Sequence, residues 1–310
     1  MKSRVAFLAC IERGKLEQQG LLLCRSIRRY AGRFANAPIH TFQPRAGLEI
    51  AEETADELRA LGVEHHTVLL NSRFHGYPIG NKIIVSAFAE RFLDEEILVF
   101  LDSDTFFAGE PALFDLPGGV DAAAWPVDRK RNGSTGPGDP HDTYWTDLYR
   151  VFGVREEPFV ESNSDQERIR AYFNSGLVVA RRSAGIMNEW LDVFLQMEED
   201  KRLPPDGSMQ FLDQVSLAIV LAKRWQRVSQ LDWRYNYPLP QRARLAEPAR
   251  SAGLQEMIHI HYHRWFQKPE FLRLLRPPLD LESDVARWLE PQLPFQPTID
   301  DPMKFRGVER

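Results

Sequence analysis

The chain is poor in cysteine, in long apolar runs and in charge of one sign, and each shortage removes a class of function. Cys10 and Cys24 are the only two cysteines in 310 residues, too few for a Cys-built metal cage or a disulfide scaffold. Both stand among apolar neighbours, which favours buried free thiols. No stretch approaches the ~18 consecutive apolar residues of a membrane-spanning helix. The amino-terminal apolar run is cut off by Glu12 and Arg13, too short for the hydrophobic region and cleavage site of a secretory signal. A net charge of −5 gives no electrostatic reason to expect nucleic acid or an anionic membrane as the main partner. The reading that remains is a globular protein without a transmembrane segment, expected to be cytoplasmic or peripheral at the membrane surface.

What is present alternates between strands and helices. Arg4 to Ile11 suits a buried strand, after which Gly20, Leu23, Cys24, Ile27 and Ala31 recur at helical spacing. Ala37 to Phe42 reads as a second strand, Glu49 to Leu61 as a helix closed by Gly62, and Val63 to Leu70 as a third strand. Asn81 is placed to cap a helix with Ile84, Ala87, Phe88 and Phe92 facing inward. Val120 to Val127 and Tyr172 to Ala180 are further strands. Helices follow on Met187, Trp190, Leu191 and Phe194 and from Gln210 to about Lys223, and Met257 to Trp265 is a late strand. The alternation predicts an α/β fold with a doubly wound sheet. Residues 128–142, DRKRNGSTGPGDPHD, are too polar and too rich in glycine and proline to pack. They are expected to form a mobile loop, either a lid or an idle insertion. The aromatic segment Trp233 to Pro238 suits either a sugar-binding surface or a turn covering the core.

Two motifs carry chemistry. Ile97-Leu-Val-Phe-Leu runs into Asp102-Ser-Asp104. An unbroken apolar run suits a strand buried on both faces of a parallel sheet, and ligands bind beyond the carboxyl ends of such strands. Paired carboxylates there can tie a divalent ion to a diphosphate. Later come His259, His261 and His263, which would share one face of a strand, where H-x-H is competent to bind metal. Lys268 follows one turn on, placed to neutralise a phosphate oxygen.

Four landmarks stand in a familiar order: the first strand with GLLLCRSIRRY, then NKIIVSAFAERFLDEEILVFLDSDTFF, then YFNSGLVVARRS with Leu212-Asp213-Gln214, and finally IHYHRWFQKPEF. Over roughly residues 4–270 the chain resembles the nucleotide-sugar-dependent glycosyltransferases of the GT-A fold, most closely the glycogenin and bacterial galactosyltransferase-like group. It departs from their pattern in placing His263-Arg264-Trp265 where a glycine is usual and Lys268 one residue late. The resemblance implies an α/β fold of GT-A type, a Rossmann-like, doubly wound, mostly parallel sheet flanked by helices in a single large domain. Its catalytic domain would cover 1–270, with a nucleotide-binding part at about 1–108 and an acceptor and sugar part at about 109–270. C-terminal helices and a proline-rich tail would follow at 271–310.

The resemblance also implies roles. Asp102, Asp104 and His261 would hold Mn²⁺ or Mg²⁺, with Asp102 also near the donor ribose. Lys82 and Lys268 would contact the diphosphate or donor sugar. Asn174, Ser175 and Gly176 would lie against the sugar, the glycine because a side chain would obstruct its approach. Ala9, Cys10 and Ile11 would border the nucleotide base, and Asp213 and Gln214 would face the reacting sugar. Asp213 also suits a helix N-cap. The partners implied are a nucleotide-sugar donor, a UDP-sugar by resemblance, and a sugar, peptide or lipid-linked acceptor, with no nucleic acid. Three other readings stay open: a binding protein without catalysis on the same fold, a haloacid-dehalogenase-type phosphatase, whose strand also ends in D-x-D, and a hydrolase built on the three histidines.

Overall fold

The computed structural model describes residues 4–296, and the end of the proline-rich tail, 297–310, lies outside the described residues. The first half alternates as the apolar pattern requires. Strands β1 (Val5–Cys10), β2 (Ile39–Gln43), β3 (Glu64–Thr67) and β4 (Ile97–Leu101) are separated by helices α1 (Lys15–Tyr30), α2 (Glu52–Ala60) and α3 (Gly80–Phe92). Short β5 (Thr105–Phe107) and β6 (Ala122–Pro126) follow, then α4 (Asp142–Phe152) and the hairpin strands β7 (Phe159–Glu161) and β8 (Arg168–Arg170). The chain continues through β9 (Phe173–Arg181), α5 (Ile186–Glu199), α6 (Leu212–Lys223) and β10 (Val228–Gln230). It closes with β11 (Tyr237–Pro238), β12 (His259–His261), α7 (Phe271–Leu274) and α8 (Asp284–Leu289).

Seven strands form the central sheet in the order β10-β6-β9-β4-β1-β2-β3. Strands β1 and β4 are buried along their whole length, because helices cover both faces and a side chain on either face meets apolar neighbours. The sheet is parallel except at β9, which runs antiparallel to both β4 and β6. That reversal matters for function. It sets Leu177 opposite Leu101, so the Asn174-Ser175-Gly176 end of β9 meets the aspartates that follow β4, and the Asp102 N–H donates to the Gly176 carbonyl at 2.8 Å.

A second sheet of three strands, β11-β12-β5, lies beside the first. Antiparallel pairing sets His261 opposite Thr105, and the Tyr262 N–H donates to the Asp104 carbonyl at 3.1 Å. Helices α7 and α8 pack into the apolar cluster that holds Phe106, Tyr262 and Phe266, so residues 271–296 share a core with the small sheet. Tyr235 and Tyr237 are buried in core clusters, so this part of the aromatic segment covers core. No helix among the described residues is long and apolar enough to cross a membrane.

Two expectations need correction, on Asn81 and on residues 128–142, and one charged residue lies where the sequence gives no sign of burial. Asn81 does not cap α3: Ile79 precedes the helix, while the buried Asn81 side chain donates to Glu12 and accepts from Asn71. Glu12, which reads in the sequence as the end of an apolar run, is itself fully buried in an ion pair with Arg45. Residues 128–142 pack closely. Asp139 accepts from Lys130, Thr135 and the His141 N–H, and the Asn132 carbonyl accepts from Trp145 Nε1 at 2.7 Å. Ser134 is wholly buried, and its carbonyl accepts from the Arg170 N–H. Local hydrogen bonds replace the apolar contacts that this segment lacks.

Candidate active site

Beyond the carboxyl ends of β1, β4 and β6 lie two adjoining depressions. The smaller, about 210 Å³, is bordered by Cys10, Leu16, Gln19, Pro78 and Phe100. The larger, about 610 Å³, runs from Asp102 and Asp104 past Asn174, Asp213 and Gln214 to Asp128, Gln241, His261 and His263. Ile79, Lys82, Asp102, Asp104 and Arg264 line both and form the wall between them.

Lys82 is the hinge of the charge arrangement. Its Nζ lies 2.7 Å from Asp102 Oδ1 and 3.5 Å from Asp213 Oδ2, and donates to Ser175 Oγ at 3.2 Å. Ser175 Oγ in turn donates to Asp213 Oδ2 at 2.5 Å. Burial works against the Lys82 charge, but the two carboxylates outweigh it and hold the ammonium above its ordinary range. Burial pushes the Asp213 carboxyl up, which Lys82 and Ser175 only partly offset. Asp213 is not an N-cap; it occupies the first turn of α6, and Phe211 precedes that helix. Its Oδ1 is buried without a hydrogen-bond partner.

Opposite stands Asp104. His261 Nε2 lies 3.1 Å from Asp104 Oδ1, the His261 and His263 rings are 3.9 Å apart between centroids, and the three ligand atoms lie within 4.8 Å of one another. Burial opposes the Asp104 charge, yet His261, His263 and Lys82 carry its carboxyl well below the usual range. This donor set fits a divalent ion, although two imidazoles disfavour Mg²⁺, which takes oxygen ligands. Asp102 stands beside this triad, its carboxylate held by Lys82. Gly176 closes the floor: a Cβ there would lie 2.9 Å from Asp102 Oδ2, 3.0 Å from Asn174 Oδ1 and 3.2 Å from His261 Cε1.

Other residues singled out in the sequence fall elsewhere. Of Ala9, Cys10 and Ile11, only Cys10 borders a depression, because alternate residues of a strand face opposite ways. Ala9 and Ile11 are buried in core, Ile11 against Gly20 of α1. Lys268 lines neither depression and lies with its Nζ 5.6 Å from the Trp265 ring centre. Arg264 borders both. β12 ends at His261, and His263 reaches the cleft through a left-handed backbone with φ of 54°, so strand alternation does not place it.

His259 leaves the trio altogether. Its ring packs against Phe107 at 4.8 Å, with both nitrogens buried and unpartnered. Burial pushes its pKa down to about 3 from the ordinary 6.5. Below pH 6.5 the unfolded chain therefore binds a proton that the native one refuses, so stability falls as the pH drops towards about 3. The expected slope is roughly 1.4 kcal/mol per pH unit for this residue. His259→Phe should remove about one proton from the slope of unfolding free energy between about pH 4 and 6, measured by urea denaturation.

Sequence reasoning missed Asp128, Arg129, Arg131, Gln241 and Arg264, all of which line the larger depression, and it singled out His263 only as one of three strand histidines. Asp128 accepts from Gln241 Nε2 at 3.0 Å and Asn163 Nδ2 at 3.3 Å, and burial pushes its carboxyl up. Its signal was present: it follows the carboxyl end of β6, as Asp102 follows β4.

The sequence profile of the Rhodobacterales glycosyltransferase domain matches residues 7–224, which takes in Asp102, Asp104 and Asp213 and stops before His261. No curated protein matches the chain by sequence. Among solved structures, the apo form of the bifunctional glycosyltransferase WbbM superimposes with a TM-score of 0.54 at 15% identity, over 94% of this chain and 52% of that one. The chain thus spans about half the length of WbbM. The galactosyltransferase LgtC, solved with donor and acceptor sugar analogues, gives 0.51 at 14% identity over 94% of this chain and 97% of that one. At such identities the likeness is one of fold, the GT-A type.

Proposed function

This chain belongs to the Rhodobacterales glycosyltransferase domain family and is a glycosyltransferase, and from that premise we propose that it moves a sugar from a nucleotide-sugar donor, a UDP-sugar, to a sugar, peptide or lipid-linked acceptor at the paired depressions. The observation that carries this reading is the shared wall. Asp104 stands in that wall with Lys82 and Arg264, between a narrow hollow and a wide one, and His261 and His263 converge on it from the wide side. A nucleotide-sugar has the same three parts, with its doubly charged diphosphate in the middle. The nucleoside takes the smaller hollow, over Cys10 and Leu16, and the sugar and acceptor share the larger.

Asp104, His261 and His263 would hold Mn²⁺, with Asp102 free to join when the donor draws Lys82 away. A divalent ion bound there supplies positive charge to the leaving diphosphate as its negative charge grows. Lys82 and Arg264 act on the same oxygens. As the bond from the anomeric carbon to the diphosphate breaks, positive charge spreads over that carbon and the ring oxygen. Asp213, whose Oδ2 is held by Lys82 and Ser175, is the carboxylate assigned to meet it. Asn174, Gln214 and Gln241 offer hydrogen bonds to sugar hydroxyls. The acceptor oxygen forms the new bond, and its proton goes to a carboxylate of the cleft, with Asp128 on the wall formed by β6.

The test is a thermal-shift panel of UDP-, GDP-, ADP- and dTDP-sugars, each with and without Mn²⁺. A metal-dependent rise with the UDP-sugar, about 2.7 kcal/mol at 100 times Kd, is the expected result. No metal-dependent rise with any donor overturns the reading, and binding without release of free UDP would leave a donor-binding protein on this fold. The assignment of Arg264 has its own check. Arg264→Ala should raise the donor KM about 10- to 100-fold, the loss of a charge-assisted contact, while Lys268→Ala should leave it within about twofold. Steady-state kinetics with varied donor decides between the two cations.

A further inference from the structure

The outer edge of the central sheet carries a second cluster of nitrogen and oxygen donors that sugar transfer does not use. Parallel pairing of β2 with β3 sets His40 opposite Glu64 and Phe42 opposite His66. Paired residues, and residues two apart, share a face of the sheet, so His40, Glu64 and His66 project together. On the other face Thr41 and His65 satisfy one another at 2.9 Å. His40 Nδ1 lies 3.0 Å from His66 Nε2 and 3.6 Å from Glu64 Oε2, and all three ligand atoms fall within 4.8 Å of one another. Ligands bound 2.0–2.2 Å from a tetrahedral zinc ion stand about 3.3–3.5 Å apart. The two distances from His40 Nδ1 bracket that spacing, and the Glu64 carboxylate lies within 4.8 Å of His66.

The surroundings fit a cation as well. His40 is 5% exposed, and the His66 ring is held by stacking on Phe42 at 4.8 Å. Glu95, buried just past α3, adds a second carboxylate that acts on His40. Two neutral imidazoles 3.0 Å apart can share only one proton, and a divalent ion can take the place of that proton. We propose that His40, Glu64 and His66 form a second metal site, for Zn²⁺ or a similar late first-row divalent ion, which ties the four-residue edge strand β3 to β2. Two imidazoles and one carboxylate suit such ions, and Mg²⁺ or Ca²⁺ would want oxygens throughout. Between β3 and β4 stand β2 and β1, so this site is separate from the cluster at Asp104.

The test uses the full chain, stripped of metal by chelator, with Asp104→Asn introduced to weaken the other cluster. Titration with Zn²⁺ by calorimetry, and with Co²⁺ by its visible absorption, counts the sites. Adding His66→Asn should remove one equivalent, and adding Glu64→Gln should weaken that equivalent roughly tenfold or more. Glu64 has a side chain 69% exposed, so its exchange for glutamine leaves the core untouched and keeps the test decisive if His66→Asn folds poorly. Stoichiometry and affinity unchanged by Glu64→Gln, or no metal bound before either change, would overturn the proposal.

Discussion

Asp104→Asn is expected to abolish metal-dependent donor binding and to lower kcat/KM on the order of 10³-fold. The side chain of Asp104 is the one carboxylate of the triad with His261 and His263, so its charge decides whether that cluster attracts a cation or repels it. Asparagine keeps the size and can still accept from His261. The Asp104 backbone carbonyl, which takes the Tyr262 N–H, is unaffected, so the small sheet stays in register. Loss of the Mn²⁺-dependent thermal shift in a variant that stays folded without ligand, at a melting temperature lowered by the lost pairing with His261, is the expected pattern. Full retention of that shift would remove Asp104 from the site.

Lys82→Met should show the opposite balance, with a large loss of stability accompanying the loss of activity. Lys82 bridges Asp102 and Asp213, and its own side chain is only 11% exposed. Removing the cation leaves two carboxylates facing one another in a poorly hydrated place, a change that costs about 3–5 kcal/mol when one partner of a buried pair is deleted. The pH dependence has a definite sign. Without Lys82, the Asp213 carboxyl, already raised by burial, rises further. A group whose native pKa lies above its unfolded value stabilises the fold below the unfolded value and loses that contribution as the pH rises through the native one. The deficit of Lys82→Met should therefore be full at neutral pH and shrink as the solution is acidified towards the carboxylate range. Urea denaturation at several pH values measures it. Adding Asp213→Asn should restore part of the stability and none of the turnover, which would separate electrostatic support from catalysis.

Several parts of the site were legible because their signals are local. The apolar run of β4 announces a buried strand whatever surrounds it, and the aspartates that follow must fall at its carboxyl end. The same holds for Tyr172 to Ala180, although nothing local reveals that β9 runs antiparallel and so brings Gly176 so near Asp102 and His261 that a Cβ would crowd them. Lys82 was readable as a lysine in the first turn of a helix, an unfavourable place without an anionic partner. That it has two such partners, from β4 and α6, depends on tertiary packing.

Where expectation and structure part, the reason is a change of backbone that composition does not signal. Alternation was extended through His263, but β12 ends at His261, so His263 swung into the cleft on a left-handed residue, while His259, opposite Phe107 in the small sheet, is buried against that ring. The short helical turn Trp265–Gln267 carries Lys268 away from the depressions and leaves Arg264 facing them. Residues 128–142 looked unable to pack because burial was judged by apolar content, whereas Asp139 and Ser134 hold them by hydrogen bonds. By itself, then, the sequence determined the α/β alternation, the strand ending in paired aspartates and the order of the motifs, since each depends on neighbours within a few residues. Only the tertiary structure decided which side chains meet, because Asp104 and His261 are 157 residues apart and their meeting depends on how two sheets pair.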